Sequence, residues 1–158
     1  MRKNFICLVL LVVFTSCNNK TGNQKIDFQP VLDSIENDFQ KNLDTGVGML
    51  QTSRNYRLVS DSLLNVIYDR TQELENIRLD SLRRSQEKFL SNRKKTEDSL
   101  WKEVEAISAK QGISPELDRM LAYGHVGNMN IERAYELNKI LKNHSQKYKA
   151  APNHVLMQ

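Results

Sequence analysis

Cysteine, proline and glycine are scarce in this sequence: 2, 3 and 6 of 158 residues. Both cysteines, Cys7 and Cys17, lie in the first 17 positions, so the rest of the chain carries no thiol. That excludes a disulfide framework, a thiolate metal site and a catalytic cysteine from any domain that follows. No segment alternates apolar and polar residues over a useful length, so a half-buried sheet is excluded as the framework. A strong charge of either sign is missing too, with 23 Lys+Arg against 19 Asp+Glu, interleaved, for a net +4. Nucleic-acid binding wants a basic stripe, and no such partner is expected. The histidines, His125, His144 and His154, form no metal-ligating pattern, and no nucleophile elbow or phosphate-binding glycine loop occurs. No metal or cofactor is expected, and no catalytic residues. The carboxylates alternate with lysines and arginines as on a solvated helix face. The most basic stretch, from Arg78 to Lys95, reads the same way; its functional alternative is contact with anionic lipid heads or an acidic envelope polymer.

Only one long apolar run is present, Phe5 to Phe14, preceded by Arg2-Lys3 and followed by Thr15-Ser16-Cys17. A basic start, a short apolar segment and small residues before a cut describe a secretory signal peptide. The run is half the roughly 20 residues that a membrane-spanning helix needs. With cysteine first after the cut, Phe14-Thr15-Ser16-Cys17 resembles the bacterial lipobox, with Phe14 in place of the usual leucine. The resemblance implies acyl chains, palmitate among them, on Cys17; the alternative is an ordinary secreted protein cut nearby. Loss of Arg2 and Lys3 leaves 21 basic against 19 acidic residues. Asn18, Asn19 and Lys20 offer no acidic cluster, which favours an outer-membrane lipoprotein facing the periplasm.

The expected organisation is a signal over 1–16, a lipidated tether over 17–29, a helical domain over 30–150 and a loose tail over 151–158. The fold class is all-α. Val31, Leu32, Ile35, Phe39 and Leu43 recur at helical spacing after Pro30, up to the break at Gly46 and Gly48. Neither Gly nor Pro interrupts Met49 to Lys110. Tyr56, Val59, Leu63, Ile67, Leu74 and Ile77 share one stripe, and Leu82, Phe89, Leu100, Val104 and Ile107 another. The five-residue step from Ile77 to Leu82 rotates the stripe by about 140°. A long antiparallel hairpin, about 50–77 and 81–110, absorbs this with a turn near 76–81 and Asp80 or Ser81 as N-cap. The alternative is one long kinked helix. Two C-terminal helices are expected, one ending at Tyr123 and one from about Ile131, joined by a loop around Gly124 to Asn128.

Asp61, Leu64, Asn65 and Tyr68 form D-x-x-L-N-x-x-Y; Leu82, Arg83, Gln86, Phe89 and Arg93 form L-R-x-x-Q-x-x-aromatic-x-x-x-R. In this order and separation, together with Asn130, Arg133, Glu136 and Leu137 near the end, they resemble the LprI-type lysozyme inhibitor domain. The resemblance covers about Met49 to Leu141. That family often carries tryptophan at the Phe89 position and cysteines near Asn55 and Glu97, which this chain lacks. If those cysteines pair in relatives, positions near 55 and 97 lie close together. Leu64, Tyr68, Leu82 and Phe89 read as core; Asn65, Gln86 and Arg93 as polar groups bonded across the hairpin. Trp101 reads as half-buried packing.

The resemblance implies inhibition of lysozyme by protein–protein binding, with no enzymatic activity. A loop bearing Tyr123, His125 and Asn128 is the expected plug for the lysozyme cleft. The weakly positive mature chain gives no general attraction to a basic lysozyme. The other expectation is a structural or adaptor envelope lipoprotein with a different protein partner.

Overall fold

The computed structural model describes residues 26–74 and 77–150. The expected signal, Cys17, most of the tether, and the tail with His154 lie outside the described residues. Among the described residues the secondary structure is helical: α1 (Gln29–Asp44), α2 (Met49–Gln72), α3 (Leu79–Gln111) and α4 (Glu116–Ala150). The long helices α3 and α4 each run about 50 Å.

Local sequence explains most of the boundaries. Pro30 stands in the first turn of α1, where its missing N–H leaves no bond unmade. Gly112 ends α3 at φ 69°, a left-handed backbone that a side chain resists, with its N–H bonded to the Ser108 carbonyl at 2.9 Å. Two helices, not one kinked helix, occupy the long Gly-free segment. Their connection falls earlier than expected, between Gln72 and Leu79. Neither Asp80 nor Ser81 is the N-cap of α3. That position is Arg78, and Asp80 lies in the first turn, where the helix dipole favours a carboxylate.

Helix directions follow from the contacts. Arg57 meets Glu97 and Asp61 meets Arg93, so α2 and α3 are antiparallel. Tyr56 meets Asn128 and Ser60 meets Asn130, so α2 and α4 are parallel. Helix α1 is antiparallel to both, its start bonded to Asn138 and its Phe39 near Gly124. The most extensive packing is between α2 and α4, not between the two hairpin arms.

That packing corrects two expectations. First, the inward stripe of α2 is Ser53, Tyr56, Ser60, Leu64, Ile67 and Thr71, while Val59 is 47% exposed and Leu63 half-buried. Three of the six buried positions carry a small hydroxyl side chain, which lets α4 approach closely. Second, α4 is one helix through Tyr123, Gly124, His125, Gly127 and Asn128, not two helices and a loop. Glycine inside a helix costs about 1 kcal/mol against alanine. At Gly127 the space is needed: a Cβ there would lie 2.4 Å from the Tyr56 ring. The Tyr56 ring in turn stacks on Phe39 with centroids 3.9 Å apart. Packing against two aromatic rings outweighs the helix-breaking tendency of Gly124 and Gly127.

Leu32, Leu64, Ile67, Leu137 and Leu141 are fully buried and make the centre of the core, with Leu82 from α3 beside them. The first half of helix α1 is fastened to α4. The Phe28 N–H donates to Asn138 Oδ1 at 2.9 Å, and Asp27 pairs with Lys142 at 3.3 Å. The Tyr135 hydroxyl lies 2.7 Å from Asp33 and 2.5 Å from Glu36.

Candidate functional site: a groove at the turn end of the bundle

Parallel α2 and α4 bring both of their N-termini to one end, so the α1–α2 and α3–α4 turns lie together there. The chain enters the bundle at the opposite end, where Phe28 meets Asn138. At the turn end, a cavity of about 450 Å³ opens between all four helices. Leu43, Val104, Ile107 and Leu121 form part of its apolar lining, and Glu103 and Asp118 supply carboxylates. A neighbouring cavity of about 340 Å³ shares Met120 and adds Leu117 and Glu116. Neither cavity is lined by Lys or Arg. Pockets of this size, apolar with a few polar groups, suit ligand or side-chain insertion.

The residues of the expected plug divide. His125 is exposed on the rim of the larger cavity. Asn128 also lines it, but its Oδ1 accepts a bond from the Tyr56 hydroxyl at 3.0 Å. Tyr123 is half-buried, edge-on to Trp101 at 5.0 Å between centroids. A glycine-hinged plug is therefore overturned, since these side chains stand on a continuous helix and two have packing or bonding partners. Trp101 is half-buried, in packing contact with Tyr123.

The motif residues assemble elsewhere, along the middle of the bundle. Arg93 Nη1 donates to Asn130 Oδ1 at 2.7 Å and to Asp61 Oδ1. The Asn130 amide donates onward to Ser60 Oγ at 3.3 Å, and Ser60 donates to the Arg57 carbonyl at 2.9 Å. Gln86, 4% exposed, accepts from Arg133 Nε at 3.0 Å. Both guanidiniums stand over the Phe89 ring, Arg93 at 5.9 Å and Arg133 at 5.8 Å from its centroid. Leu64 and Leu82 are buried; Tyr68 and Phe89 are half-buried against the same core. Asn65 and Arg83 face solvent, so the expected bond from Asn65 across the hairpin is not made. The polar partners of Gln86 and Arg93 include α4, which the hairpin picture left out. Near the positions 55 and 97 discussed above, Arg57 and Glu97 form an ion pair at 2.6 Å.

No family model, curated protein or solved structure matches the chain. Among the described residues there is no cluster of His, Cys, Asp or Glu suited to a metal ion. None of their helices is long and apolar enough to cross a membrane.

Tyr56 joins the groove to the core, and its ionisation reports on that junction. Burial, then the charges of Glu36 and Glu132, push its phenol up to about 12. The folded state thus holds the proton more tightly than the unfolded chain, which releases it near pH 10. The resulting stability is complete below pH 10 and is lost as pH rises towards 12. About 3 kcal/mol is expected to disappear over that range. Tyr135, also raised, by burial first and then by Glu36 and Asp33, acts in the same direction. Urea titrations at pH 9 and pH 12 should show a smaller loss for Tyr56→Phe than for the parent. Equal losses would mean that Tyr56 ionises freely in the fold.

Proposed function

We propose that the chain is a lipid-anchored cell-envelope protein whose helical domain works by binding another protein, with lysozyme as the candidate target. The observation that carries this reading is the polarity of the bundle: the chain enters at one end, and the apolar groove opens at the other. Acyl chains on Cys17 hold the entry end near the bilayer, at the outer membrane facing the periplasm. Asp27, Phe28 and Gln29 belong to the bundle, so the tether is residues 18–26, about 30 Å fully extended, and the groove faces away from the membrane at its end. The domain inhibits by occupying its target, not by turning over a substrate.

Support for lysozyme comes from the motif resemblance and from the groove. The chain as a whole carries little net charge, but Glu103, Asp118 and Glu116 give the groove a local negative character that suits a basic protein. Lysis of a peptidoglycan suspension by lysozyme, with the purified soluble domain added, tests the target. Inhibition at micromolar domain is expected; unchanged lysis removes lysozyme and leaves an adaptor for another envelope protein. The 33-residue α3 favours that second reading, since only Leu82, Gln86 and Val104 of it are buried, leaving a long outer face for a partner.

The anchor has its own test. Mass spectrometry of the mature protein should find Cys17 as an acylated first residue. Cys17→Ala should move the protein from the membrane pellet to the soluble fraction. Retention of Cys17→Ala in the pellet after a carbonate wash would contradict lipid anchoring through that sulfur.

A further inference from the structure

Four of the most exposed large apolar residues crowd the turn end: Val47 (78%), Ile113 (64%), Leu117 (63%) and Leu121 (58%). Single exposed apolar side chains are ordinary, but four at one end of the bundle, two of them (Leu117 and Leu121) lining cavities, mark an interaction surface. The question is what covers it.

Two flanking segments do not suit it. Residues 151–158 extend at most about 28 Å, and they start 29 helical residues, about 43 Å, from Leu121. The segment just before Ile26, Asn18 to Lys25, is polar throughout and has no apolar face to offer. A second copy is disfavoured by charge. A two-fold contact through this end would bring two acidic linings together, Glu103, Asp118 and Glu116 of each copy, while Lys41, Lys110 and Arg119 stand at the same end but outside the cavity linings.

We infer that the turn end is a docking site for an amphipathic helical segment of another protein, with an apolar face edged by lysine or arginine. The apolar face covers Leu117 and Leu121 and inserts side chains into the larger cavity. Its cationic edges meet Glu103 and Asp118. This is helix-in-groove recognition, with apolar anchors for affinity and charge for choice of partner. The inference deepens the tethered-binder reading by naming the chemistry of the partner, and it does not require that partner to be lysozyme.

Two synthetic 18-residue helical peptides with the same leucine face test it, one edged with lysine and one with glutamate. Fluorescence anisotropy with the full mature chain, at low and at physiological salt, should show the lysine peptide binding at least tenfold more tightly, less so at higher salt. Leu121→Asp, a change at an exposed position, should weaken the lysine peptide at least tenfold while leaving thermal unfolding unchanged. The double variant Glu103→Lys/Asp118→Lys should reverse the preference. Equal binding of both peptides, no binding, or undiminished binding by Leu121→Asp would overturn the inference. So would a concentration-dependent dimer in sedimentation that Leu121→Asp abolishes, because the occupant would then be a second copy. Running Leu121→Asp in the lysozyme assay separates the two proposals. Peptide binding without inhibition rejects lysozyme and keeps the dock; inhibition by a parent chain that binds neither peptide does the reverse.

Discussion

Gly127→Ala is expected to destabilise the bundle by about 2 kcal/mol, although the substitution puts a better helix former in the middle of a helix. The new Cβ would lie 2.4 Å from Tyr56 Cδ1 and 2.6 Å from Cε1. The ring has little room to withdraw. It stacks almost parallel on Phe39, at an interplanar angle of 4°, and its hydroxyl is tied to Asn128. Relief therefore moves α1, α2 and α4 together. Gly124 is the control, three residues earlier in the same helix. A Cβ there meets only Phe39 Cζ at 3.7 Å, an ordinary contact. Gly124→Ala should accordingly stabilise by about 0.5–1 kcal/mol, the usual gain from replacing a helical glycine. Urea unfolding of the two variants should give shifts of opposite sign. In a Tyr56→Leu background the penalty at Gly127 should shrink, since the obstructing ring is gone. A Gly127→Ala protein as stable as the parent would mean that α2 and α4 do not approach as closely as described.

These two glycines also show where the sequence was legible. The helical class, the break between two long arms and most of the α1 face can be read from spacing and from one phase slip; Val31, expected inward, is 47% exposed. Hydrophobic periodicity carries that information because each helix buries a stripe. The partnership of α2 with α4 was not readable in the same way. Its contact face is built from Ser53, Ser60, Thr71, Gly127 and Ala134, residues that count as polar, breaking or neutral in a hydrophobic pattern. Close packing of small side chains leaves no apolar signature, so periodicity points to Val59 and Leu63 instead, and Gly124 reads as a stop. The candidate site depended on the same misreading. Tyr123, His125 and Asn128 were brought near the groove, but as helical residues whose neighbours were set by the parallel pairing. Glu103, Asp118 and Leu121 do not stand out in the sequence because their convergence depends on how α3 packs against α4. Only their helical spacing was visible in the sequence, and that spacing does not tell which face meets which.

Arg93→Ala is expected to cost about 3 kcal/mol, far more than the loss of an ordinary surface ion pair. The reason lies in the second acceptor that the same Nη1 serves beside the carboxylate. Asp61 is 41% exposed in its side chain and regains water when Arg93 is removed. Asn130 is fully buried and does not. Its Oδ1 loses its donor inside the core, a penalty of about 1–3 kcal/mol. Loss of the guanidinium beside Phe89 adds about 0.5–1 kcal/mol. Arg93→Lys should recover only part of this, because the shorter ammonium gives up the flat guanidinium that stands over the Phe89 ring. Asn130→Leu isolates the buried half. It removes the stranded acceptor, while Ser60 keeps its own bond to the Arg57 carbonyl. The double variant Arg93→Ala/Asn130→Leu should therefore be clearly more stable than the sum of the single losses predicts. Strict additivity, or an Arg93→Ala protein within 0.5 kcal/mol of the parent in urea unfolding, would reduce this arginine to a solvated ion pair. The D-x-x-L-N-x-x-Y and Q-x-x-aromatic-x-x-x-R residues would then need a role at the surface, not in joining α2, α3 and α4.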